Sequence, residues 1–205
     1  MVPGMLIMSS PRELSKMFKE AGIDLRYLED EAFDNPLGES TGAGNIFGVA
    51  GGVLEAALRT VYETVTGKEL QDVNFTAVRG LQGVKEVQID LGGKTLNVAA
   101  SSGLGNARTI LNNVKEGRSQ YHVIEIMACP GGCINGGGQP YSDERQEVIE
   151  QRIKALYTVD ERKLLRKSHE NPSIKKLYAE FLGEPGSPKA HKLLHTGYFP
   201  EKKYL

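Results

Sequence analysis

The stretch YHVIEIMACPGGCINGGGQP, Tyr121 to Pro140, changes character at its middle. Tyr121 to Met127 is rich in β-branched and aromatic residues, the composition of a partly buried strand. Cys129 to Pro140 then brings two cysteines, five glycines and two prolines, which no regular element accommodates. A strand that runs straight into a glycine-rich loop with reactive side chains fits the carboxyl edge of an α/β sheet, where such folds place ligands.

Working outward, the same periodicities recur on both sides. Met5 to Met8 is a short apolar run that suits a strand. Ser10-Pro11-Arg12-Glu13 is a capping box with proline in the first turn, so a helix is expected from Pro11, stopped by Gly22. Asn35 to Gly52 holds six glycines and cannot be ordinary regular structure. Helical spacing returns in Val53 to Thr66, with Leu54, Ala57, Leu58, Val61 and Val65 on one face and Gly67 as its stop. Two alternating runs, KEVQIDL and KTLNVAA, flank Gly92-Gly93 and predict a hairpin. Asn106 to Glu116 reads as a short helix ended by Gly117.

Beyond residue 142 the composition shifts to charged, helix-forming residues. Ser142 can cap a helix over Asp143 to Tyr157. Asp160 to Lys167 and Ser173 to Leu182 are further helical segments, the last closed by Gly183. The pattern predicts an α/β lobe over 1–141, a short, largely parallel sheet flanked by helices, and a helical tail over 142–205. The Gly92-Gly93 hairpin would be an insertion or edge. The loop before Val53 and the cysteine loop after Met127 should converge at the C-terminal end of the sheet.

Composition removes several functions. Twenty-five basic against 26 acidic residues leave a formal charge of −1, so nucleic acid and anionic membrane surfaces have no overall electrostatic attraction here. No apolar run approaches the roughly 20 residues of a spanning helix. No charged and apolar leader pattern opens the chain, and with so few cysteines a cytoplasmic setting is expected.

The pair Cys129 and Cys133 carries the chemistry. Thiolate is the soft ligand of iron–sulfur clusters and of zinc. Gly131 and Gly132 permit a tight path and leave N–H groups free to approach sulfide or other anionic ligands. A glycine-rich turn with two buried thiols, a zinc site and a Cys129–Cys133 disulfide all stay open on spacing alone. Zinc lacks a second cysteine pair, and His122, His169, His191 and His195 are scattered.

The run E-x-M-A-C-x-x-G-C-x-x-G-G-G-Q-P at Glu125 to Pro140 resembles the third signature of the iron-only (di-iron) hydrogenases. Asn35 to Arg59, NPLGESTGAGNIFGVAGGVLEAALR, resembles that family's glycine-rich loop and helix. Arg166 to Gly183 and Lys189 to Tyr198 resemble its small-subunit segment. The family's active site is the H-cluster, a 4Fe–4S cubane joined through a cysteine sulfur to a di-iron subcluster with CO, cyanide and a bridging dithiolate. The resemblance implies that Cys129 ligates the cubane and Cys133 bridges it to the di-iron unit. It also implies that Met127 packs near the di-iron unit, and that Phe47, Gly48 and Gly132 line the cluster wall. Cys133 and Met127 are thus the candidate catalytic positions, and Cys129 and Cys133 the metal ligands.

The remaining cubane cysteines of the family belong to two earlier signatures that do not occur here, since this sequence holds only two cysteines. Val49-Ala50 and Gly197 also depart from the family's usual residues. The resemblance therefore describes the C-terminal half of a catalytic domain whose cysteine loop lies open to water. A separate polypeptide would carry the N-terminal lobe, and ferredoxin would be the electron partner. The competing function is a non-catalytic, hydrogenase-like module that binds or scaffolds iron–sulfur clusters.

Other residues read plainly. Glu55 and Arg59 are spaced as a solvated i, i+4 ion pair. His169 reads as part of a helix cap. His191 and His195 read as packing a short helix onto its neighbour, and Glu125 as orienting the cysteine loop by accepting backbone N–H bonds.

Overall fold

The computed structural model describes residues 10–31, 38–141, 145–197 and 199; the expected strand at Met5 to Met8 and the Ser142 cap lie outside them. Helix α1, Pro11–Glu20, begins as the capping box requires. The Glu13 carboxylate accepts from the Ser10 N–H at 2.7 Å, and the Ser10 hydroxyl accepts from the Glu13 N–H at 3.3 Å. The glycine-rich stretch forms one short turn of helix, α2 (Gly42–Asn45), and a 3-10 turn, Ile46–Gly48. It then enters α3, Gly52–Thr66, which closes on Gly67 at φ +64°.

Strands β1 (Val84–Asp90) and β2 (Thr95–Ser102) form the hairpin, with Asp90 opposite Thr95 and Gly92 and Gly93 both at positive φ. Helix α4, Leu104–Lys115, carries the chain to β3, Val123–Met127, which pairs parallel to β2 from Val98–Val123 to Ser102–Met127. The sheet order is β1-β2-β3. The architecture is α/β as expected, but the sheet is mixed, with parallel pairing confined to β2 and β3. The antiparallel β1 stands at its edge because the two-glycine turn folds it straight back.

Helix α5 spans Arg145–Arg162. It runs through the break expected after Tyr157, because Tyr157 and Asp160 both face inward and are buried. The separate helix expected over Asp160 to Lys167 is therefore not formed. Helix α6, Pro172–Leu177, passes into a single π turn, Tyr178–Leu182, and α7 is Pro188–Leu194.

Helix α3 lies between two apolar clusters. Leu54, Leu58, Val78, Val98 and Ala100 join it to the sheet. Ala43, Ile46, Val49, Ala56, Ile134, Ile149 and Tyr157 join the glycine-rich stretch, the cysteine loop and α5. The cysteine loop is thus clamped from behind by packed hydrophobic side chains.

The Glu55–Arg59 pair is not solvated: both side chains are fully buried. The buried face of α3 is correspondingly turned from the expected one, leaving Ala57 and Val65 exposed. The physical reason is Asp160 on α5, which holds Arg59 by two hydrogen bonds of 2.8 and 2.9 Å. Arg79 and the Tyr157 hydroxyl complete the shell of Glu55, and Arg166 that of Asp160. Burial acts to raise the Asp160 carboxyl, but the bonds from Arg59 and Arg166 outweigh it and hold it below its usual range.

Candidate metal centre

Two loops meet at the carboxyl end of β2 and β3. The Ala50 N–H donates to the Gly131 carbonyl at 3.1 Å, and the Gly131 N–H donates to the Ser102 hydroxyl at 3.3 Å. Gly131 and Gly132 both adopt positive φ, +80° and +103°. A Cβ on Gly132 would lie 2.6 Å from the Ala50 nitrogen and from the Gly48 oxygen, so only glycine lets the two backbones approach this closely.

The cysteines are held by nested turns. The Gly132 N–H donates to the Cys129 carbonyl at 3.0 Å, and the Gly136 N–H to the Cys133 carbonyl at 3.0 Å. Cys133 opens the 3-10 turn Cys133–Asn135, and Ile134 beside it is buried in the core. Anchoring Ile134 leaves Cys133 exposed and Cys129 half-buried, both as free thiols. A disulfide is therefore absent, and so is a turn that seals both thiols.

Beneath the loops, Glu125 accepts backbone hydrogen bonds, as anticipated, but from α3 and the residue before it. Its carboxylate takes the Gly51 N–H at 2.5 Å and the Leu54 N–H at 2.7 Å, a favourable place for an anion at the start of a 15-residue helix. Lys85, also buried, donates to the carbonyls of Ala50 and Gly80 at 2.9 and 3.0 Å. Burial pulls the Lys85 ammonium below its usual pKa, partly offset by the nearby Glu125 charge. The Lys85 role and the identity of the Glu125 donors were not legible in advance, since both depend on backbone groups from other parts of the chain.

Of the other candidates, Gly48 abuts the cysteine loop through its carbonyl, while Phe47 beside it is 46% exposed. Met127 ends β3 and accepts the Gly103 N–H at 2.8 Å through its carbonyl. At this end of the sheet Val53, Leu104 and Ile126 are exposed as well. His169 does not cap α6, a task performed by the Asn171 side chain. His169 bonds instead to Thr60 and Glu63. His191 and His195 stack on each other with ring centroids 4.5 Å apart and remain exposed, and Ala190 does the packing of α7.

The donor set suits an iron–sulfur cluster in kind, with two soft sulfurs, flexible glycines and an open face. It falls short in number, because a cubane takes four thiolates and the sequence has two cysteines. Among the described residues, the one cluster of three potential metal ligands is Glu63, His169 and Glu170, and the Lys167 ammonium already sits between the two carboxylates at 2.7 and 2.9 Å.

The fold and site define an α/β protein whose open edge presents two free thiols on a glycine-walled loop. Family models make the class specific: residues 7–137 match the iron only hydrogenase large subunit, C-terminal domain, and residues 146–201 match the iron hydrogenase small subunit. The chain belongs to the iron-only hydrogenase family. It is 51% identical over 201 residues to the NADP-reducing hydrogenase subunit HndD of Solidesulfovibrio fructosivorans, covering 98% of this chain and 34% of that one. It is 35% identical over 198 residues to the Protein NAR1 of Arabidopsis thaliana, covering 93% and 41%. A solved variant of the FeFe-hydrogenase HydA1 from Chlamydomonas reinhardtii superposes with a TM-score of 0.71 at 43% identity, covering 91% of this chain and 53% of that one. The chain spans about a third of the length of the first curated relatives it matches. Among the described residues no helix is long and apolar enough to cross a membrane.

Proposed function

We propose that this chain supplies one side of a hydrogenase active site, which interconverts H2 with protons and electrons once a second lobe completes it. The observation that carries this reading is the pair Cys129 and Cys133, accessible on a rigidly backed loop and short by two thiolates of a cubane's needs. In this proposal Cys129 ligates the 4Fe–4S cubane and Cys133 bridges it to the di-iron subcluster. Met127, Phe47, Gly48 and Gly132 wall the cluster. Residues 1–141 form the lobe and 142–205 a small-subunit-like tail. The cluster, when bound, supplies the electron store and the metal at which H2 reacts. The chain's own part is to hold sulfur at fixed positions, through the Gly131–Ala50 contact and the Glu125 anchor, and to offer an apolar rim that a second lobe can cover against water. That lobe comes from a polypeptide carrying the remaining cysteines, ferredoxin supplies electrons, and the setting is cytoplasmic.

A second reading is an iron–sulfur binding or scaffold module without hydrogenase activity. The cytosolic iron-sulfur assembly component 3 of Bos taurus, 31% identical over 198 residues and covering 93% of this chain, favours it, because that relative shares these segments.

The test is anaerobic co-expression with a polypeptide bearing the missing cysteines and with the maturation machinery. H2 evolution from reduced methyl viologen, lost in Cys133→Ser, supports the hydrogenase reading. A stoichiometric cluster without H2 evolution supports the second. Iron near four per chain in the isolated monomer, or zinc in place of iron, overturns the half-site.

A further inference from the structure

We propose that the cavity beside the cysteine loop binds a small multivalent oxyanion, a phosphate or a di- or tricarboxylate. The cavity encloses about 310 Å³ and is lined by three guanidinium groups, Arg12, Arg145 and Arg152. Among the described residues no carboxylate lines it. In a chain of formal charge −1, three cations around one hollow are a marked local excess. The site lies outside the thiol pair, since neither cysteine lines it, and it stands whether or not a cluster is ever bound.

Two of the arginines are fixed in advance. Arg152 donates to the carbonyls of Ile134 and Pro140 at 2.8 and 3.2 Å. Arg12 donates to the Gln139 carbonyl at 3.3 Å and lies over the Tyr141 ring, 4.4 Å from its centroid. Each guanidinium has five N–H donors, so both retain free ones after these bonds. Arg145 and Arg152 are seven residues apart on α5 and therefore share one face of the helix. Arg12 and Arg145 are exposed and Arg152 is half-buried.

Arg12 is the second residue of α1 and Arg145 the first of α5. The first turn of α1 is already satisfied, the Arg12 N–H donating to the Gly138 carbonyl at 2.8 Å and the Glu13 N–H to the Ser10 hydroxyl at 3.3 Å, so the guanidinium groups carry the recognition. Gly136 and Gly137 form part of its wall, and Gly137 faces open space where a Cβ would sit. A bidentate oxyanion matches the fork geometry of guanidinium better than a halide does, and several such forks around one space suit a ligand of more than one negative charge. Gly136 links this wall to the thiols within the cysteine loop: a Cβ there would lie 3.7 Å from the Cys129 sulfur. A ligand here would brace the cysteine loop from behind.

The experiment is calorimetric titration of the full chain, with inorganic phosphate and, separately, with malonate. Saturable one-to-one binding is expected, weakened about tenfold by Arg145→Gln and unchanged by Arg108→Gln, an exposed arginine on α4. Tighter malonate than phosphate assigns a carboxylate ligand, and the reverse a phosphate. The rise in Tm of the unmodified chain with ligand gives a second reading if a variant fails to fold. No saturable binding and no rise in Tm up to about 10 mM, or equal weakening in both variants, overturns the proposal.

Discussion

Arg59 and Asp160 form a fully buried, two-bonded ion pair that joins α3 to α5 across 101 residues of sequence. All five guanidinium donors of Arg59 have partners, since it also donates to Glu55, to the Val73 carbonyl and to the Arg166 carbonyl. Removing one partner from such a pair leaves a charge stranded in the interior. We expect Asp160→Ala to lower the unfolding free energy by about 3–5 kcal/mol in urea denaturation. Lys16→Ala, which breaks a pair on α1 whose side chains are 76% and 65% exposed, should show no measurable loss. Equal behaviour of the two variants would refute the assignment of Asp160 as the tie between helix and tail.

The contact between the two loops depends on Gly132. Its φ of +103° disfavours any side chain, and a Cβ would press on backbone atoms of Val49 and Ala50 that cannot yield. Gly132→Ala should cost about 2–3 kcal/mol and free the cysteine loop, seen as faster amide exchange at Ala50 and Gly131. Gly137→Ala is the matched control, because nothing lies within 4 Å of that position. If Gly132→Ala melts with the unmodified chain, the loops do not meet as described.

What the sequence revealed is what local chemistry decides. The Ser10–Glu13 box, the Gly67 stop and the Gly92-Gly93 turn involve residues a few positions apart, and each forms where expected. The cysteine loop was legible because glycine, cysteine and proline in one run leave few alternatives. The charged core was not. Glu55 and Arg59 show only an i, i+4 spacing, identical in sequence to a surface pair, and their burial is decided by Asp160, Arg79 and Tyr157. Glu125 was read correctly as an acceptor of N–H bonds, but its donors, Gly51 and Leu54, lie more than 70 residues away. The strength of the parallel signal in β3 likewise says nothing of β1, whose direction comes from its turn.

Glu63 gives the fold a specific acid sensitivity. Its carboxylate accepts from the Leu70 N–H at 2.8 Å and from Lys167 at 2.7 Å, and pairs with His169 at 2.7 Å. The Leu70 N–H and then Lys167 pull its pKa from 4.5 down to about 2. The folded value lies below the unfolded one, so the charged form favours folding. The resulting stability is fully present above pH 4.5 and is lost as pH falls toward 2. With the side chain 18% exposed, solvent screening leaves a contribution on the order of 2 kcal/mol. Glu63→Gln removes the titrating group, so it should be less stable at neutral pH and should lose less stability between pH 4.5 and 2 than the unmodified chain. Urea denaturation at half-unit pH steps checks this: the two curves must converge on acidification, and curves that stay parallel would show that Glu63 titrates alike in the folded and unfolded chain.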